Sequence, residues 1–151
     1  MRPLLTLCLL LTMAIPLPAQ DLNASADNII GSYYLKHKRD EGKVRFYKTA
    51  DGTYTCHVYW LKYDRDENGN KLLDIKNPDR SLRSVPCDQM VLIRGLRYNA
   101  NKRQWDGAKI YDSQRGIKAN VTVCFTEDGR LRLRGTVLGI GETIYWQRID
   151  E

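Results

Sequence analysis

The chain has 151 residues, of which 42% are hydrophobic and 28% are charged, and its formal net charge at pH 7 is +6. A chain of this length suits one domain and buries roughly two-thirds of its unfolded surface, so it can form a core without disulfide or metal staples. The basic residues are spread over the whole sequence, without a long run of like charges and without a nucleic-acid motif. We therefore expect no nucleic-acid partner.

Residues 1–19 have the order of a secretory signal. One cation, Arg2, precedes an apolar run over residues 4–15, and small and helix-breaking residues follow. The run is too short for a membrane span, which needs roughly 20 residues, and we predict cleavage near Ala19 or Gln20. An uncleaved anchor is the alternative. We expect an exported protein, periplasmic or extracellular, with no stable membrane insertion after cleavage.

The remaining sequence divides into an N-terminal extension over residues 20–30 and a β-barrel domain over residues 31–150. Tyr, Val, Ile, Thr and Trp dominate short segments that are separated by Gly, Asp and Asn. Asp51-Gly52 and Asp128-Gly129 are turns of the kind that join antiparallel strands tightly. We predict strands over residues 29–38, 43–48, 53–62, 89–98, 103–111, 116–126, 130–138 and 142–149.

Alternation of side chains is clearest late in the chain. Over residues 117–125 the apolar side chains occupy every second position, and the strand over residues 130–138 repeats the pattern. Period-2 patterning indicates one buried and one wetter face. About eight such strands would expose two edges as a flat sheet, and closure removes them. We predict an all-β fold, a single antiparallel up-and-down β-barrel, with a β-sandwich as the alternative.

The long connection after the third strand begins like a calcium loop. Asp64, Asp66, Asn68 and Gly69 match the first positions of an EF-hand loop. That loop needs a bidentate carboxylate at its last position, and Ile75 stands there. We therefore predict no metal site here, but an Asx-rich turn in which side chains bond their own backbone.

The second half of this connection is a candidate lid or brace over one end of the barrel. Pro78 holds Asn77 in an extended conformation, and loops of this length are often functional or packed on themselves. Arg83 is expected to pair with Asp74 or Asp79.

Several motifs in one order resemble the bacterial family called domain of unknown function 2147. The run D-x-x-G-x-x-x-x-D-x-x-N-P-D-x-x-L-R over residues 66–83 resembles its signature, and residues 92–123 resemble the segment that follows. LRLRG at residues 131–135, YWQRI at residues 145–149 and GSYYL at residues 31–35 complete the resemblance.

The resemblance implies an exported bacterial protein with a calycin-like or lipocalin-like barrel and no established reaction. It also implies that Tyr33 and Arg148 pack together, beside Trp146, and close the barrel. Ala108 and Ser113 depart from the family pattern, which weakens any transfer of a shared ligand pocket more than it weakens the fold.

We expect the barrel interior to bind a small hydrophobic or amphipathic molecule, because such sites combine an apolar wall with a few polar groups. An envelope protein-interaction or structural domain with a filled barrel is the alternative. We predict no enzyme and no cofactor, because nucleophile-elbow, metal-triad and phosphate-loop motifs are missing from the sequence. The alternative of an enzyme would use Tyr111 and Asp112 with Arg134, or Asp74 with Asp79, as an acid–base pair. The predicted ligand-binding residues are Tyr54, Trp60, Trp105, Tyr111, Asp112, Phe125 and Arg134.

Three cysteines follow the signal, Cys56, Cys87 and Cys124. In an oxidising compartment one pair could form a disulfide. Their spacing does not fit a zinc site.

Overall fold

The structure, a computed structural model, describes residues 20–37 and 40–150. The predicted signal over residues 1–19 lies outside the described residues. Short 3₁₀ turns span Ala26–Ile29, Arg80–Leu82 and Cys87–Gln89. The strands are β1 (Gly31–His37), β2 (Asp40–Lys48), β3 (Tyr54–Leu61), β4 (Val91–Asn99), β5 (Gln104–Asp112), β6 (Ile117–Phe125), β7 (Leu131–Val137) and β8 (Ile140–Ile149).

Each strand pairs antiparallel with the next one, and β8 returns to pair with β1. The sheet is therefore a closed up-and-down barrel, which confirms the predicted fold class. The last hairpin turn is tighter than the sequence indicated, because Leu138 and Gly139 both take positive φ and β8 begins directly after them. Two such residues match the right-handed twist of a two-residue hairpin.

The inner face can be read from the register, because directly paired residues of an antiparallel sheet point to the same side. Val123 pairs with Leu133, and Leu131 pairs with Trp146, and all four side chains are buried. Register irregularities interrupt this pairing in three places. The β3–β4 pairing has shifts between Tyr54 and His57, and the two that bear on the predicted site lie elsewhere. One lies between Lys43 and Val44 opposite β3, and the other lies in β5 between Trp105 and Ala108.

Strand direction gives the barrel two different ends. The base is the end at which β1 begins, and residues 20–30 lie there. The mouth is the opposite end, where the β5–β6 and β7–β8 turns lie and where the loop over residues 62–90 joins β3 to β4.

Candidate functional site

The base of the barrel is filled by aromatic side chains. Trp105 is fully buried and meets Phe125 edge-on, with ring centroids 5.8 Å apart. Tyr33 meets Phe46 in the same geometry, also at 5.8 Å. Edge-to-face pairs of this kind add to the stability that burial provides. Of the predicted ligand-binding residues, Tyr54, Trp105 and Phe125 all belong to this buried core.

The N-terminal extension seals the base. The Trp105 indole Nε1 donates to the Ala26 carbonyl at 3.0 Å, and the Tyr33 hydroxyl donates to the Ile29 carbonyl at 2.8 Å. Asn23 forms a two-way bridge to the backbone of Phe125, with distances of 2.8 and 2.7 Å. Polar tips of core aromatics need such partners when they are buried. Residues 20–30 are therefore part of the barrel's packing.

Arg148 closes the barrel as the resemblance implied. Its guanidinium lies 5.4 Å from the centroid of the Tyr33 ring and 5.7 Å from that of Phe125. Its Nη2 also donates to the Asn28 carbonyl at 2.8 Å. Trp146 is buried beside these residues and contacts Phe46. The arginine thus joins the last strand to the first strand and to the N-terminal extension.

Two predicted ligand-binding residues lie on the outer wall. Val44 pairs with Val58 and Lys43 pairs with Trp60, so Tyr59 is an extra residue in β3. The bulge turns Trp60 outward, where it is 41% exposed and lies under Lys43. Arg134 is exposed because it alternates with the buried Leu133. The expectation that Trp60 and Arg134 line the interior is therefore wrong.

Tyr111 also faces outward, although it is buried. It pairs with Lys118, on the outer side of β6, because the irregularity after Trp105 reverses the alternation in β5. The loop over residues 62–90 covers it, and Asp74 of that loop accepts its hydroxyl hydrogen at 2.6 Å. Burial, and then the bond to Asp74, raise the pKa of Tyr111 well above its ordinary value. Its placement as an interior ligand-binding residue is wrong, and its role is to hold the loop.

Asp74 organises the loop around Tyr111. Its second oxygen accepts from the Asn77 amide at 2.6 Å, and both Asp74 and Asn77 are buried. Arg83 donates its Nε to the Asn77 carbonyl at 2.8 Å. The expected pairing of Arg83 with Asp74 or Asp79 is replaced by this backbone contact. Asp79 instead accepts from the Ser81 backbone at 2.9 Å and begins the following 3₁₀ turn.

The loop is a brace on the outer wall and on the β5–β6 turn. Pro78 lies in its middle, and Lys76 donates its ammonium to the Gln114 carbonyl at 2.7 Å. A Cβ on Gly116 would overlap the Lys76 carbonyl, and Gly116 has positive φ, so only glycine fits at that turn position. Together with the contact to Tyr111, this places the NPD-x-x-LR segment beside the mouth.

The start of the loop is an Asx turn, as predicted. Asp66 accepts the backbone N–H groups of Asn68 and Asn70, each at 2.9 Å. Asp64 lies apart from this turn and pairs with the Lys71 ammonium, which also contacts Asp88. The bond from Lys71 is the main cause that lowers the pKa of the Asp64 carboxyl below its ordinary value.

Apolar side chains at the mouth face the inside of the barrel but are partly exposed. Val137 pairs with Ile140 next to the β7–β8 turn, well beyond the buried Leu133 and Trp146, and these two side chains are 41% and 82% exposed. Ile117, the first residue of β6, pairs with Asp112 and is also exposed. The upper barrel therefore offers uncovered apolar surface on its inner face, above a filled base.

Polar groups cross this mouth. The Glu142 carboxylate, which faces inward on β8, lies 3.3 Å from His37 on β1 and 3.4 Å from Arg115 in the β5–β6 turn. The Gln114 side chain of the same turn donates to Asp40 on β2 at 3.1 Å. We call these five residues the mouth cluster. Because β6 and β7 separate Arg115 from Glu142 along the wall, the β5–β6 turn leans across the opening.

Asp112 supports the mouth cluster without lining an apolar wall. It accepts the backbone N–H groups of Gln114 and Arg115, at 2.9 and 3.1 Å, and so shapes the β5–β6 turn. Sequence reasoning placed Asp112 in the site but missed Glu142. The available signal was a charged residue at an inward position of β8, four residues before the buried Trp146.

Two shallow depressions on the outer wall are different in character. One lies over β5 and β6, beside Lys109 and Asn120, and the other lies beside Asp21 and Cys124. Both are open to solvent and surrounded mostly by polar side chains. The mouth differs from both, because it combines the exposed apolar side chains of Ile117, Val137 and Ile140 with the charged residues of the mouth cluster. It is therefore the better candidate for an amphipathic molecule.

The three cysteines are free thiols. Cys56 is fully buried in the core, and burial raises the pKa of its thiol well above the ordinary value. The pKa of the Cys87 thiol is raised as well, first by burial and then by Asp74. A raised pKa disfavours the thiolate and makes a cysteine unreactive. Among the described residues, these three cysteines form no disulfide with one another.

The closed eight-stranded barrel, with a sealed base and an arginine packed over aromatic rings, defines a lipocalin-like protein. Protein HP1028 from the human pathogen Helicobacter pylori, described as belonging to the lipocalin family, has a similar fold, with a TM-score of 0.63 and 25% identity over 82% of this chain and 84% of that chain. The family model "Uncharacterized protein conserved in bacteria (DUF2147)" matches residues 31–148, and the chain belongs to this family. No curated protein matches it significantly. Within residues 20–37 and 40–150, no helix is both long and apolar enough to cross a membrane.

Proposed function

We propose that this protein is an exported binding protein that takes a small hydrophobic or amphipathic molecule at the mouth of its barrel. The observation that carries the proposal is the contrast between the two ends. The base is filled and sealed, whereas Ile117, Val137 and Ile140 expose apolar surface on the inner face of the mouth. Exposed apolar surface next to a few charged groups is typical of a binding site.

The mouth cluster suits an amphipathic ligand. An apolar tail would cover the three apolar side chains, while its head group would meet Glu142 and Arg115. Both side chains are about half exposed, which leaves their charges accessible to a head group. The fold supports the same proposal, since barrels of eight strands have room for at most one small ligand.

The test measures binding of fatty acids and alkyl amines of increasing chain length by calorimetry and native mass spectrometry. Val137→Asp and Ile140→Asp place a charge on the inner face, and we expect each to weaken binding about tenfold or more, because a charge would replace apolar contact. Leu138→Asp is the matched control, since Leu138 is 98% exposed in the adjacent turn and does not pair across the inner face.

Binding that tightens with chain length, and that is lost in the two inner-face variants but kept in Leu138→Asp, supports the proposal. Wild-type protein that binds neither series would overturn it. Equal losses in all three variants would place the binding surface outside the barrel.

A second candidate is a protein contact in the cell envelope through the loop over residues 62–90. Leu73, Ile75 and Leu82 are exposed there, on a loop that buried contacts hold in place. An ordered, exposed apolar surface is typical of protein-interaction sites. Crosslinking in envelope extracts with wild type and with Ile75→Asp tests this candidate, and recovery of the same product by both would reject the loop as the contact.

The proposed export has its own test. Cell fractionation followed by N-terminal sequencing of the mature chain should find the protein outside the cytoplasm, starting near Gln20. This start would remove the predicted signal and leave intact the residues that seal the base. A start beyond Asn23 would contradict the sealing role of the N-terminal extension.

A further inference from the structure

The β7–β8 turn carries the most exposed of the large apolar side chains that the structure describes. Leu138 is 98% exposed in the turn, and Ile140, at the start of β8, is 82% exposed. Val137, at the end of β7, is 41% exposed. We call these three residues the apolar tip. Water covers them at a cost in free energy, and a cluster of this kind marks an interaction site more often than it marks packing.

The backbone conformation does not favour a leucine at position 138. Leu138 has a φ of 50° and Gly139 has a φ of 81°. A two-residue turn with positive φ at both positions ordinarily contains Asn-Gly or Asp-Gly, because larger side chains are crowded in the left-handed region. The leucine is thus unfavourable both for its conformation and for its exposure. Local conflicts of this kind are typical of functional sites, where a partner supplies the missing contact.

Two arginines lie on the outer wall of β7 beside the apolar tip. The residues that pair with Arg134 on β6 and β8 are both threonines, and those that pair with Arg132 are a cysteine and a tyrosine. A Cβ on Gly141 would lie 2.9 Å from the Arg134 Nη2, so this guanidinium lies over the start of β8, next to Ile140. The apolar tip therefore continues into a surface that carries positive charge.

The hairpin offers no carboxylate to neutralise this charge on its outer face. Glu142 is the one acidic residue between positions 131 and 149. It faces inward, where it pairs with His37 and Arg115 of the mouth cluster. The outer face of β7 and β8 beside the apolar tip is therefore positive, and it complements an anionic partner.

Shape and charge together favour a lipid surface over a protein. A stable protein contact buries about 800 Å² on each partner, whereas this tip is a two-residue turn between Val137 and Ile140, with glycines at positions 139 and 141. A second copy docked tip to tip would bring the positive faces of both chains together, and like charges repel. A bilayer can surround a small convex apolar tip, and its anionic head groups attract the cations beside it.

We propose that the apolar tip inserts into the head-group region of an anionic membrane, while Arg132 and Arg134 pair with lipid phosphates. Docking of this kind is reversible and does not span the bilayer. It places the mouth against the membrane, where an amphipathic molecule can enter or leave the barrel. This exchange rests on the proposed function, whereas the docking itself does not, because Leu138 does not pair across the inner face.

The experiment measures co-sedimentation of the mature chain with vesicles of equal parts phosphatidylglycerol and phosphatidylcholine, and with vesicles of phosphatidylcholine alone. We expect the protein to bind the anionic vesicles, at least about tenfold more tightly than the neutral ones, and to bind more weakly as salt is added. Leu138→Asn should weaken binding about tenfold or more, because one buried leucine is lost. Its Tm should not fall, since asparagine adopts positive φ more readily. Arg132→Gln/Arg134→Gln should also weaken binding about tenfold.

The matched controls lie away from the apolar tip. Ile30→Asn replaces an exposed aliphatic side chain at the base, and Arg94→Gln replaces an exposed arginine on β4. Both should bind anionic vesicles like the wild type, and circular dichroism should show that all variants are folded. Binding of the small amphiphiles in solution is measured in parallel, and Leu138→Asn should retain it.

The docking proposal is overturned if the wild type does not bind anionic vesicles, if it binds neutral vesicles as tightly, or if Leu138→Asn and Ile30→Asn behave alike. Dimers in solution that Leu138→Asn abolishes, without vesicle binding, would identify a second copy as the partner instead. Vesicle binding by a protein that takes up no small amphiphile would refute the proposed function and leave the docking intact.

Discussion

Tyr111→Phe tests whether the long loop is held to the barrel by one buried hydrogen bond. The substitution keeps the ring and removes only the hydroxyl that Asp74 accepts at 2.6 Å. Asp74 is 4% exposed, so water cannot replace the lost donor without opening the loop. A hydrogen bond to a charged group contributes about 1.5–3 kcal/mol. We expect the free energy of unfolding to fall by about 2 kcal/mol, and Tm by roughly 6–10 °C for a domain of this size.

Asp74→Asn should be destabilising for a related reason. If the oxygen of the new asparagine side chain faces Tyr111, its amide nitrogen faces the amide nitrogen of Asn77, which is also a donor. Asn77 cannot turn over without losing the bond from the Asp79 backbone to its side-chain oxygen. Because Asp74 and Tyr111 share one bond, the double variant should cost less than the sum of the single variants, with a coupling of about 1–2 kcal/mol.

The assay is denaturant and thermal unfolding, accompanied by limited proteolysis of residues 62–90. Tyr145→Phe is the control, because Tyr145 is exposed on the outer wall, and such substitutions usually change stability by less than about 0.5 kcal/mol. The reasoning is refuted if Tyr111→Phe matches this control both in unfolding and in the rate of loop cleavage.

Three further predictions concern the base, the bulge and acid stability. A chain beginning at residue 31 should be far less stable than one beginning at residue 20, because the Trp105 indole and the Tyr33 hydroxyl lose their carbonyl partners; equal Tm values would show that the extension is dispensable. Iodide should quench the fluorescence of Trp60 alone among the tryptophans, since Trp105 and Trp146 are buried, so Trp60→Phe should abolish quenching in the folded protein. Hydrogen bonds, first from Tyr34 to Glu41 and from the Asn70 backbone to Asp66, hold the pKa of these carboxyls below the ordinary value. A carboxyl whose pKa is lowered in the folded state stabilises the folded protein at neutral pH, and this stabilisation is lost as acid protonates the carboxyl. Tm should therefore fall most steeply below about pH 4, and a Tm that rises there would contradict this assignment.

The barrel could be predicted because its determinants are local. Residues 117–125 alternate strictly, and Asp-Gly turns stand between strand-like segments. Alternation requires one buried face, and short turns require neighbouring strands to pair antiparallel. The Asx turn at Asp66 was predictable for the same reason, since its hydrogen bonds join residues two and four positions apart.

The errors in the predicted site have one main cause. Trp60 lies two positions after the buried Val58, and Tyr111 lies six positions after the buried Trp105. Strict alternation along each strand would therefore place both side chains inside the barrel. One extra residue in β3 and one irregularity in β5 reverse their direction. A bulge shifts the pairing by one residue and so exchanges the two faces of a strand, and Tyr59 gives no local signal of this. The error at Arg134 has a different cause, because no bulge is involved and its alternation with Leu133 already indicated the outer face.

The sequence by itself determined an all-β chain, its turns and its membership of a barrel family, because these depend on neighbouring residues and on motifs in a fixed order. Only the tertiary structure decided which side chains meet. Asp74 reaches Tyr111 across 37 positions of the chain, and Gln114 reaches Asp40 across 74. Such contacts exist because closure of the sheet brings distant strands and turns to one end of the barrel. The candidate site at the mouth is a product of that closure, and no local pattern records it.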